Sequence, residues 1–302
     1  MSRPGSVTLG PVELRTPLIA ASGTVGSVVD AAGAVDFSQY GAAVAKSVAG
    51  TEWQGRPAPR LSPTGVGMLN GIGIQNPGID AWVRDVGPRL DEVDVPVWGS
   101  AVGETVEEFA RVAEGLERAG VTAVEVNLSC PNLEEGTIWA FDPDRSADVI
   151  AAVRGSTSLP VGAKLSPNAE RIPDVAERVL EAGADWLVLT NTALGAAVDL
   201  GTRQPALSGV VGGYSGAGMK PMAMRCVLEV RRSLGDVAIV GCGGVRTGLD
   251  VIEYVMAGAR AVAIGTGHFE RPRIARRILR QAERWMRRNG VDDLSELVGV
   301  AL

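Results

Sequence analysis

The stretch that decides the fold is Ala123-Val-Glu-Val-Asn-Leu-Ser-Cys130, a mostly apolar run that ends in small and polar residues. Seven other runs of this kind occur along the chain, and amphipathic stretches separate them. Buried parallel strands that alternate with helices give this pattern. The eight runs are residues 17–23, 42–48, 95–102, 123–130, 160–166, 186–192, 238–244 and 261–267.

Eight strand-helix units predict an α/β fold of the (β/α)8 TIM barrel type. An open doubly wound sheet is the alternative, but no Gly-x-Gly-x-x-Gly follows the first strand to open a dinucleotide-binding helix. Residues 7–14 predict a β-hairpin that closes the bottom of the barrel. Long loops follow the second and sixth strands, at 49–94 and 193–215, and both are expected on the catalytic face. Residues 1–302 are expected to form a single domain.

Composition excludes several classes of function. The net charge of -6 gives no broad electrostatic footprint for nucleic acid. The three cysteines, Cys130, Cys226 and Cys242, are odd in number and far apart, so neither a disulfide framework nor a metal site is expected. Residues 1–10 lack the features of a signal peptide, and no apolar run is long enough for a membrane span. We therefore expect a cytoplasmic protein without a nucleic-acid or membrane partner.

Polar and glycine residues collect where the predicted strands end. In a TIM barrel these ends and the loops after them build the active site. Glycines after the last two strands favour a phosphate held by backbone N–H groups, although glycine there could also serve only a tight turn. The residues concerned are Ser22, Lys46, Ser47, Ser100, Asn127, Cys130, Asn132, Lys164, Asn191, Thr192, Gly243, Gly244, Gly265 and Thr266.

Lys46 and Lys164 lie within otherwise apolar strands. An unpaired ammonium is costly to bury, so these side chains are expected to face anionic ligand atoms. The alternative is a lysine that points outward and extends past the helices to solvent. Two inward lysines would suit a flavin and an acidic substrate.

Cys130 precedes Pro131, which is expected to end the strand and present the thiol above the barrel mouth. A cysteine there can act as a base or a nucleophile, whereas an isolated cysteine is more often a small packing residue. Four asparagines lie at strand ends or in the long second loop: Asn70, Asn127, Asn132 and Asn191. Carboxamides pair donors with acceptors and suit a planar imide ring such as a pyrimidine.

Six segments, taken together and in order, resemble dihydroorotate dehydrogenase. The cysteine and the Leu69-Asn-Gly-Ile-Gly-Ile-Gln-Asn-Pro-Gly78 stretch resemble class 1, subgroup B, the NAD-linked bacterial type, whereas membrane-bound class 2 enzymes use a serine base. The segments are Lys46-Ser47, Met68-Leu-Asn-Gly-Ile-Gly-Ile-Gln-Asn-Pro-Gly78, Asn127-Leu-Ser-Cys-Pro-Asn132, Asn191-Thr192, Gly241-Cys-Gly-Gly244 and Ile264-Gly-Thr266.

The resemblance implies one FMN per chain and oxidation of (S)-dihydroorotate to orotate in pyrimidine biosynthesis. Cys130 would remove the C5 proton as hydride passes from C6 to flavin N5. The implied FMN-binding residues are Ser22, Lys46, Ser47, Ser100, Asn127, Lys164, Thr190, Gly216, Gly243, Gly244, Gly265 and Thr266. The implied substrate-binding residues are Lys46, Asn70, Gly71, Ile72, Gly73, Ile74, Asn127, Asn132, Asn191 and Thr192.

Two segments depart from the family pattern: Ser100-Ala-Val-Gly103 stands where relatives commonly have Asn-Val-Ala-Gly, and Val210-Val211 where they often have Arg-Thr.

Three other functions stay open. A dihydropyrimidine dehydrogenase-like flavoprotein would typically have His in place of Asn132. A non-redox isomerase or lyase would use the late glycines for a substrate phosphate, and a scaffold without activity would bind no flavin.

The resemblance also implies partners. Subgroup B enzymes pair with a second subunit that carries FAD and a [2Fe-2S] cluster and passes electrons to NAD. Three scattered cysteines cannot form a four-cysteine cluster site in this chain. The expected assembly is a homodimer, or a heterotetramer with that electron-transfer subunit.

Overall fold

The computed structural model describes residues 5–128 and 139–302. In chain order the strands are β1 (Val7–Leu9), β2 (Val12–Leu14), β3 (Leu18–Ala20), β4 (Ala42–Val44), β5 (Leu61–Thr64), β6 (Gly67–Asn70), β7 (Val97–Ala101), β8 (Ala123–Asn127), β9 (Val161–Leu165), β10 (Trp186–Leu189), β11 (Ala193–Ala196), β12 (Val198–Asp199), β13 (Gln204–Pro205), β14 (Val211–Ser215), β15 (Ile239–Cys242) and β16 (Ala261–Ile264). The α-helices are α1 (Ile79–Asp85), α2 (Val106–Arg118), α3 (Pro143–Ser156), α4 (Ile172–Glu181), α5 (Lys220–Leu234), α6 (Gly248–Met256), α7 (Gly267–Glu270) and α8 (Ala275–Asn289). Short 3-10 helices span Val29–Ala31, Phe37–Gln39, Gly87–Glu92, Trp139–Phe141, Ala217–Met219 and Leu294–Leu297.

Eight parallel strands close into a barrel in the order β10-β15-β16-β3-β4-β7-β8-β9. Each of them lies inside one of the eight runs marked in the sequence, so the TIM-barrel prediction is confirmed. The strands are buried on both faces because helices cover the outside and side chains fill the inside, which explains their nearly continuous apolar sequence. Pairing of Ile19 in β3 with Ala263 in β16 joins the first barrel strand to the last.

The predicted hairpin is present as β1 and β2, and it lies at the N-terminal ends of the barrel strands. Leu9 and Leu14 are fully buried and join the cluster that fills the barrel interior with Trp98 and Trp186. Gly10 at the turn comes so close to Asp185, the residue before β10, that a Cβ there would lie 2.8 Å from its carbonyl oxygen. The hairpin therefore closes the end of the barrel away from the polar strand ends.

The two long loops pair with each other over the opposite end of the barrel. Strands β5 and β6 come from the loop after the second barrel strand, and β11 and β14 from the loop after the sixth. They form a four-stranded antiparallel sheet in the order β11-β14-β6-β5, with Gly213 opposite Asn70. This sheet brings both loops to the C-terminal ends of the barrel strands.

Helix α2 illustrates why the outer layer forms. The Thr105 hydroxyl caps its first turn by accepting a hydrogen bond from the Glu108 N–H at 3.2 Å. Phe109, Val112 and Leu116 recur at helical spacing and are fully buried against the barrel. Within the described parts of the chain, no helix is both long and apolar enough to cross a membrane.

Candidate active site

A cavity of about 280 Å³ opens where the barrel strands end, beneath the four-stranded sheet. Small-molecule sites have volumes from roughly 300 Å³ upward, so this cavity is near the lower limit of that range. The predicted site residues that line it are Ser22, Lys46, Ser47, Asn70, Ile72, Ile74, Asn127, Lys164, Thr190, Asn191, Thr192, Gly216, Gly243, Gly244, Gly265 and Thr266.

Three of the remaining predicted residues do not line the cavity, and the other two lie outside the described residues. Gly71 and Gly73 belong to the same loop as the cavity-lining Ile72 but do not line the cavity themselves. Ser100 is fully buried below the cavity, and its hydroxyl lies 2.8 Å from the hydroxyl of Ser47. Ser100 thus contacts Ser47, which lines the cavity, and does not line the cavity itself. Cys130 and Asn132 lie outside the described residues.

A chain of hydrogen bonds links polar side chains from neighbouring strands. The Asn127 amide donates to the Ser47 hydroxyl at 3.2 Å, and the Asn191 amide donates to the Asn127 carbonyl oxygen at 3.1 Å. The backbone N–H of Thr192 donates to Asn191 Oδ1 at 2.8 Å. Because each group fixes the orientation of the next, the wall presents a set of donors and acceptors whose positions are set before any ligand arrives.

The loop strands contribute the opposite wall. The Asn70 side chain donates to the carbonyl oxygen of Gly213 at 3.1 Å, which ties β6 to β14. A Cβ at position 213 would lie 2.3 Å from the hydroxyl oxygen of Thr192. Glycine at 213 is thus required for Thr192 and Asn70 to approach each other, and it brings the two long loops together at one wall.

The far end of the cavity has the features of a phosphate cradle. Gly243 and Gly244 follow β15 with φ of 145° and 71°, a conformation that side-chain-bearing residues rarely adopt. The Thr266 hydroxyl donates to the Ser215 hydroxyl at 2.8 Å beside them. At Gly265, a cavity-lining residue, a Cβ would meet no atom closer than 3.9 Å. Open space, glycine turns and hydroxyl donors fit the phosphate and ribityl chain of the FMN that the resemblance implies.

Only three of the 29 basic residues Lys and Arg are lysines, and two of those three line the cavity. Lys164 lies on β9, and its Nζ is 3.5 Å from Glu125 Oε1 on β8, with both side chains buried. Burial lowers the pKa of the Lys164 ammonium, whereas the nearby charge of Glu125 and, less strongly, Cys242 raise it. Together these charges outweigh the effect of burial, so the pKa is above its usual value. Lys164 therefore presents a permanent positive charge to the cavity at neutral pH.

Several cavity residues were missed from the sequence. Cys242, which was not among the predicted site residues, lies at the end of β15 and lines the cavity; burial raises the pKa of its thiol although Lys164 opposes the shift. Its place directly before Gly243 at a strand end is a signal that could have identified it. Phe269 and the Arg246–Glu270 ion pair, 2.6 Å long, lie at the rim, and nothing in the local sequence pattern marks them.

The single histidine lies beneath the phosphate-side loop. His268 is buried, with its Nδ1 3.0 Å from the Thr24 hydroxyl and its Nε2 2.8 Å from the Tyr40 hydroxyl. Desolvation by burial lowers its pKa to about 4, although a backbone hydrogen bond at Gly265 opposes the shift. The ring is therefore neutral at pH 7 and supports the loop through these hydrogen bonds.

Within residues 5–128 and 139–302, no group of three or more His, Cys, Asp or Glu side chains is arranged to hold a metal ion. Cys226 lies buried on α5 and Cys242 at the end of β15. Neither of these thiols has acidic or imidazole neighbours in a ligand cluster.

Comparison with known proteins gives a consistent result. The model of a family described as dihydroorotate dehydrogenase matches residues 6–286. A relative from Desulforudis audaxviator, named dihydroorotate dehydrogenase B (NAD(+)), catalytic subunit, is 42% identical over 298 residues, which cover 98% of this chain and 97% of the relative. A relative of the same name from Geobacter sulfurreducens is 42% identical over 296 residues and 97% of each chain. A crystal structure of DHODH from Eimeria tenella in complex with ferulenol has a TM-score of 0.80 at 22% identity, covering 98% of this chain and 88% of that one, and so supports the fold alone.

Proposed function

Because the chain belongs to the dihydroorotate dehydrogenase family, we propose that it oxidises (S)-dihydroorotate to orotate with bound FMN. The observation that carries this proposal is the meeting of two lysines with a chain of carboxamides around one cavity. A positive charge suits the substrate carboxylate, and paired amide donors and acceptors suit its imide edge. A site for a sugar phosphate alone would have no use for this wall.

FMN would extend along the cavity, from the asparagine wall to the glycine turns. Gly243, Gly244, Gly265 and Thr266 would hold its phosphate, and Lys164 would supply positive charge beside the ring system. When bound, FMN supplies the hydride-accepting chemistry that no amino-acid side chain provides. The chain itself supplies orientation and charge.

Substrate would bind between the ring of the cofactor and the four-stranded sheet. Lys46 would meet the carboxylate, while Asn127 and Asn191 would bind the imide edge. Asn70 and Thr192 would hold the opposite edge, with Gly71, Gly73 and Asn132 as further predicted contacts. Because the carboxamides are already hydrogen-bonded to each other, little freedom is lost when the substrate is oriented.

Cys130 would remove the C5 proton. It follows Asn127, the last residue of β8 and part of the cavity wall, by three positions in the sequence. A positioned base contributes roughly 10²–10⁴-fold to a proton transfer. An unperturbed thiol titrates near pH ~8.5, so reduction of the flavin by dihydroorotate should accelerate as pH rises through that region.

Anaerobic stopped-flow mixing of the yellow protein with dihydroorotate tests the proposal. We expect bleaching of the flavin with the wild-type chain and, with Cys130→Ala, retention of FMN with bleaching slowed by about 10²–10⁴-fold. Dihydrouracil is the matched control substrate because it lacks the carboxylate, and it should reduce the flavin poorly.

Three results would contradict parts of this proposal. Near-normal reduction by the Cys130→Ala protein would remove Cys130 as the base. Faster reduction by dihydrouracil than by dihydroorotate would favour a dihydropyrimidine dehydrogenase-like function. A colourless protein that takes up no FMN would favour a non-redox isomerase, lyase or scaffold.

We also propose NAD as the final acceptor, reached through a partner subunit that carries FAD and a [2Fe-2S] cluster. The relatives' name, catalytic subunit, implies a second subunit for them, and it includes NAD(+). Dihydroorotate oxidation should be measured with NAD, fumarate and quinone, with and without a copurifying second subunit. NAD reduction only in the presence of that subunit is the expected result, and the mass of the complex will distinguish a homodimer from a heterotetramer.

A further inference from the structure

A buried ion pair lies one layer below the cavity. Asn127 on β8 is level with Lys164 on β9, and Glu125, two residues earlier, is level with Gly162. Alternate residues of a strand share a face, so Glu125 points into the barrel one layer deeper than Lys164. Lys164 lines the cavity and Glu125 does not, yet their Nζ and Oε1 atoms are 3.5 Å apart. Glu125 is buried and is absent from the cavity lining, so it does not face a bound ligand directly.

Two buried polar atoms in this deeper layer make no hydrogen bond. They are Trp186 Nε1 and Glu125 Oε1, whose contact with Lys164 Nζ at 3.5 Å is an ion pair, and neither has a hydrogen-bond partner among the described residues. Gly162 stands between them, level with Glu125 on one side and with Trp186 on the other. A Cβ at position 162 would lie 2.3 Å from Trp186 Nε1, so glycine there lets the indole reach across β9 toward β8.

A buried acceptor without a hydrogen bond costs about 1–3 kcal/mol. The carboxylate of Glu125 is therefore kept at this depth at an energetic cost, which the charge of the Lys164 ammonium at 3.5 Å offsets.

The charges around Lys164 explain why a carboxylate is retained at this depth. Cys242 faces it from β15, and Lys46 lines the same cavity. Glu270, at the rim, is already paired with Arg246. Among the described residues, Glu125 is the carboxylate that balances the buried ammonium, and without it the charged form would be strongly disfavoured.

We propose that Glu125 is a positioning residue that keeps the Lys164 ammonium charged and in place at the cavity. The role toward FMN rests on the proposed function, because Lys164 faces a flavin only if the cavity binds one. The ion pair itself can be tested without the cofactor.

The scarcity of lysine makes a direct test simple. With ¹³C-labelled lysine the chain should give three Cε signals, one for each lysine, and Lys164→Met identifies the signal of Lys164. We expect the wild-type Lys164 signal to show an ammonium up to about pH 10. In Glu125→Gln its titration midpoint should fall by at least one pH unit, and Glu125→Asp, which keeps the charge, should restore most of that shift.

Glu253→Gln is the matched control. It also removes a carboxylate bonded to a lysine, Lys220 at 2.8 Å, but that pair is at the surface and Asp250 remains beside the ammonium. The Lys164 titration should be unchanged in this variant. An unchanged Lys164 titration in Glu125→Gln would overturn the proposal.

A second measurement links the pair to the cofactor. At pH values above the lowered Lys164 titration midpoint, Glu125→Gln should bind FMN at least tenfold more weakly than the wild type. Below that midpoint, the variant and the wild type should bind FMN with equal affinity. Equal affinity across the pH range would overturn the role toward FMN. If the wild-type chain takes up no FMN, the proposed function fails. The lysine titration still tests whether Glu125 keeps the Lys164 ammonium charged.

If Glu125→Gln does not fold, the double variant Glu125→Gln with Lys164→Met keeps the proposal testable. It removes both charges, so its stability should lie closer to wild type than that of Glu125→Gln alone. A double variant as unstable as the single one would mean that Glu125 acts independently of Lys164, which contradicts the proposal.

Discussion

Lysine and arginine are used in different places in this molecule. Arginine supplies 26 of the 29 basic residues, whereas Lys46 and Lys164 line the cavity and Lys220 packs beneath the turn at Gly244, where a Cβ would lie 2.7 Å from its Cβ. An ammonium is a compact charge on a flexible stem, whereas a guanidinium is a larger planar group. Two of the three lysines therefore place compact positive charges at the cavity.

His268 gives a prediction at the residue scale. Its pKa is lowered to about 4 in the folded chain, against 6.5 for an ordinary histidine. Between these values the unfolded state binds more protons, so stability is lost as pH falls from 6.5 toward 4. The free energy of unfolding should fall by about 2 kcal/mol between pH 8 and pH 5 from this group alone.

The measurement is urea unfolding at a series of pH values for wild type and His268→Gln. The difference between the two stability curves should shrink by about that amount as the pH falls to 5, because the variant has no imidazole to protonate. Parallel curves would mean that the pKa of His268 is the same in the folded and unfolded states, which contradicts the prediction.

The distance between a helical glycine and the neighbouring helix determines whether replacing that glycine by alanine stabilises the protein. Gly115 in α2 faces α1, and a Cβ there would lie 2.3 Å from Ile79 Cγ1. Gly155, near the end of α3, is exposed, and a Cβ there would meet no atom within 4 Å. Both are helical glycines, so the same substitution is expected to have opposite effects.

We predict that Gly115→Ala lowers the free energy of unfolding by about 1–3 kcal/mol through overpacking. Gly155→Ala should raise it by up to about 1 kcal/mol because alanine favours the helix. Urea denaturation of the two variants measures both effects. If both substitutions stabilise the protein, then α1 can move away from α2 at little cost and the packing argument fails.

At the scale of the whole molecule, the two ends of the barrel have separate tasks. The hairpin β1–β2 fills one end with Leu9 and Leu14, while the paired loops and the cavity occupy the other. In barrels of this type the C-terminal end of the strands carries the chemistry and the N-terminal end contributes stability. Changes at the hairpin should therefore affect folding more than the site.

Leu14→Ala tests this separation. Removing a fully buried leucine should cost about 2–5 kcal/mol of stability, with FMN affinity and flavin reduction by dihydroorotate nearly unchanged in the folded fraction. Leu200→Ala, at a side chain that is 89% exposed, is the control and should change stability by no more than about 0.5 kcal/mol. Loss of FMN affinity in the folded Leu14→Ala protein would argue against independent ends.

Much of this molecule was already determined by the sequence. The eight apolar runs fixed the barrel, because burial on both faces demands apolar strands and connecting helices demand the stretches between them. Polar residues such as Asn127 and Lys164 could be assigned to one site because parallel strands end on the same face. The roles of the individual site residues, and the single domain of 1–302, stay predictions.

Only the tertiary structure decided which of these residues touch. Pairing of Asn70 with Gly213 joins loops that are far apart in sequence, and the contact of Glu125 with Lys164 depends on the register of β8 against β9. Local periodicity tells which way a side chain points along one strand, but not which residue on the neighbouring strand stands level with it. Closure of the barrel sets that register, and with it the charge of the cavity floor.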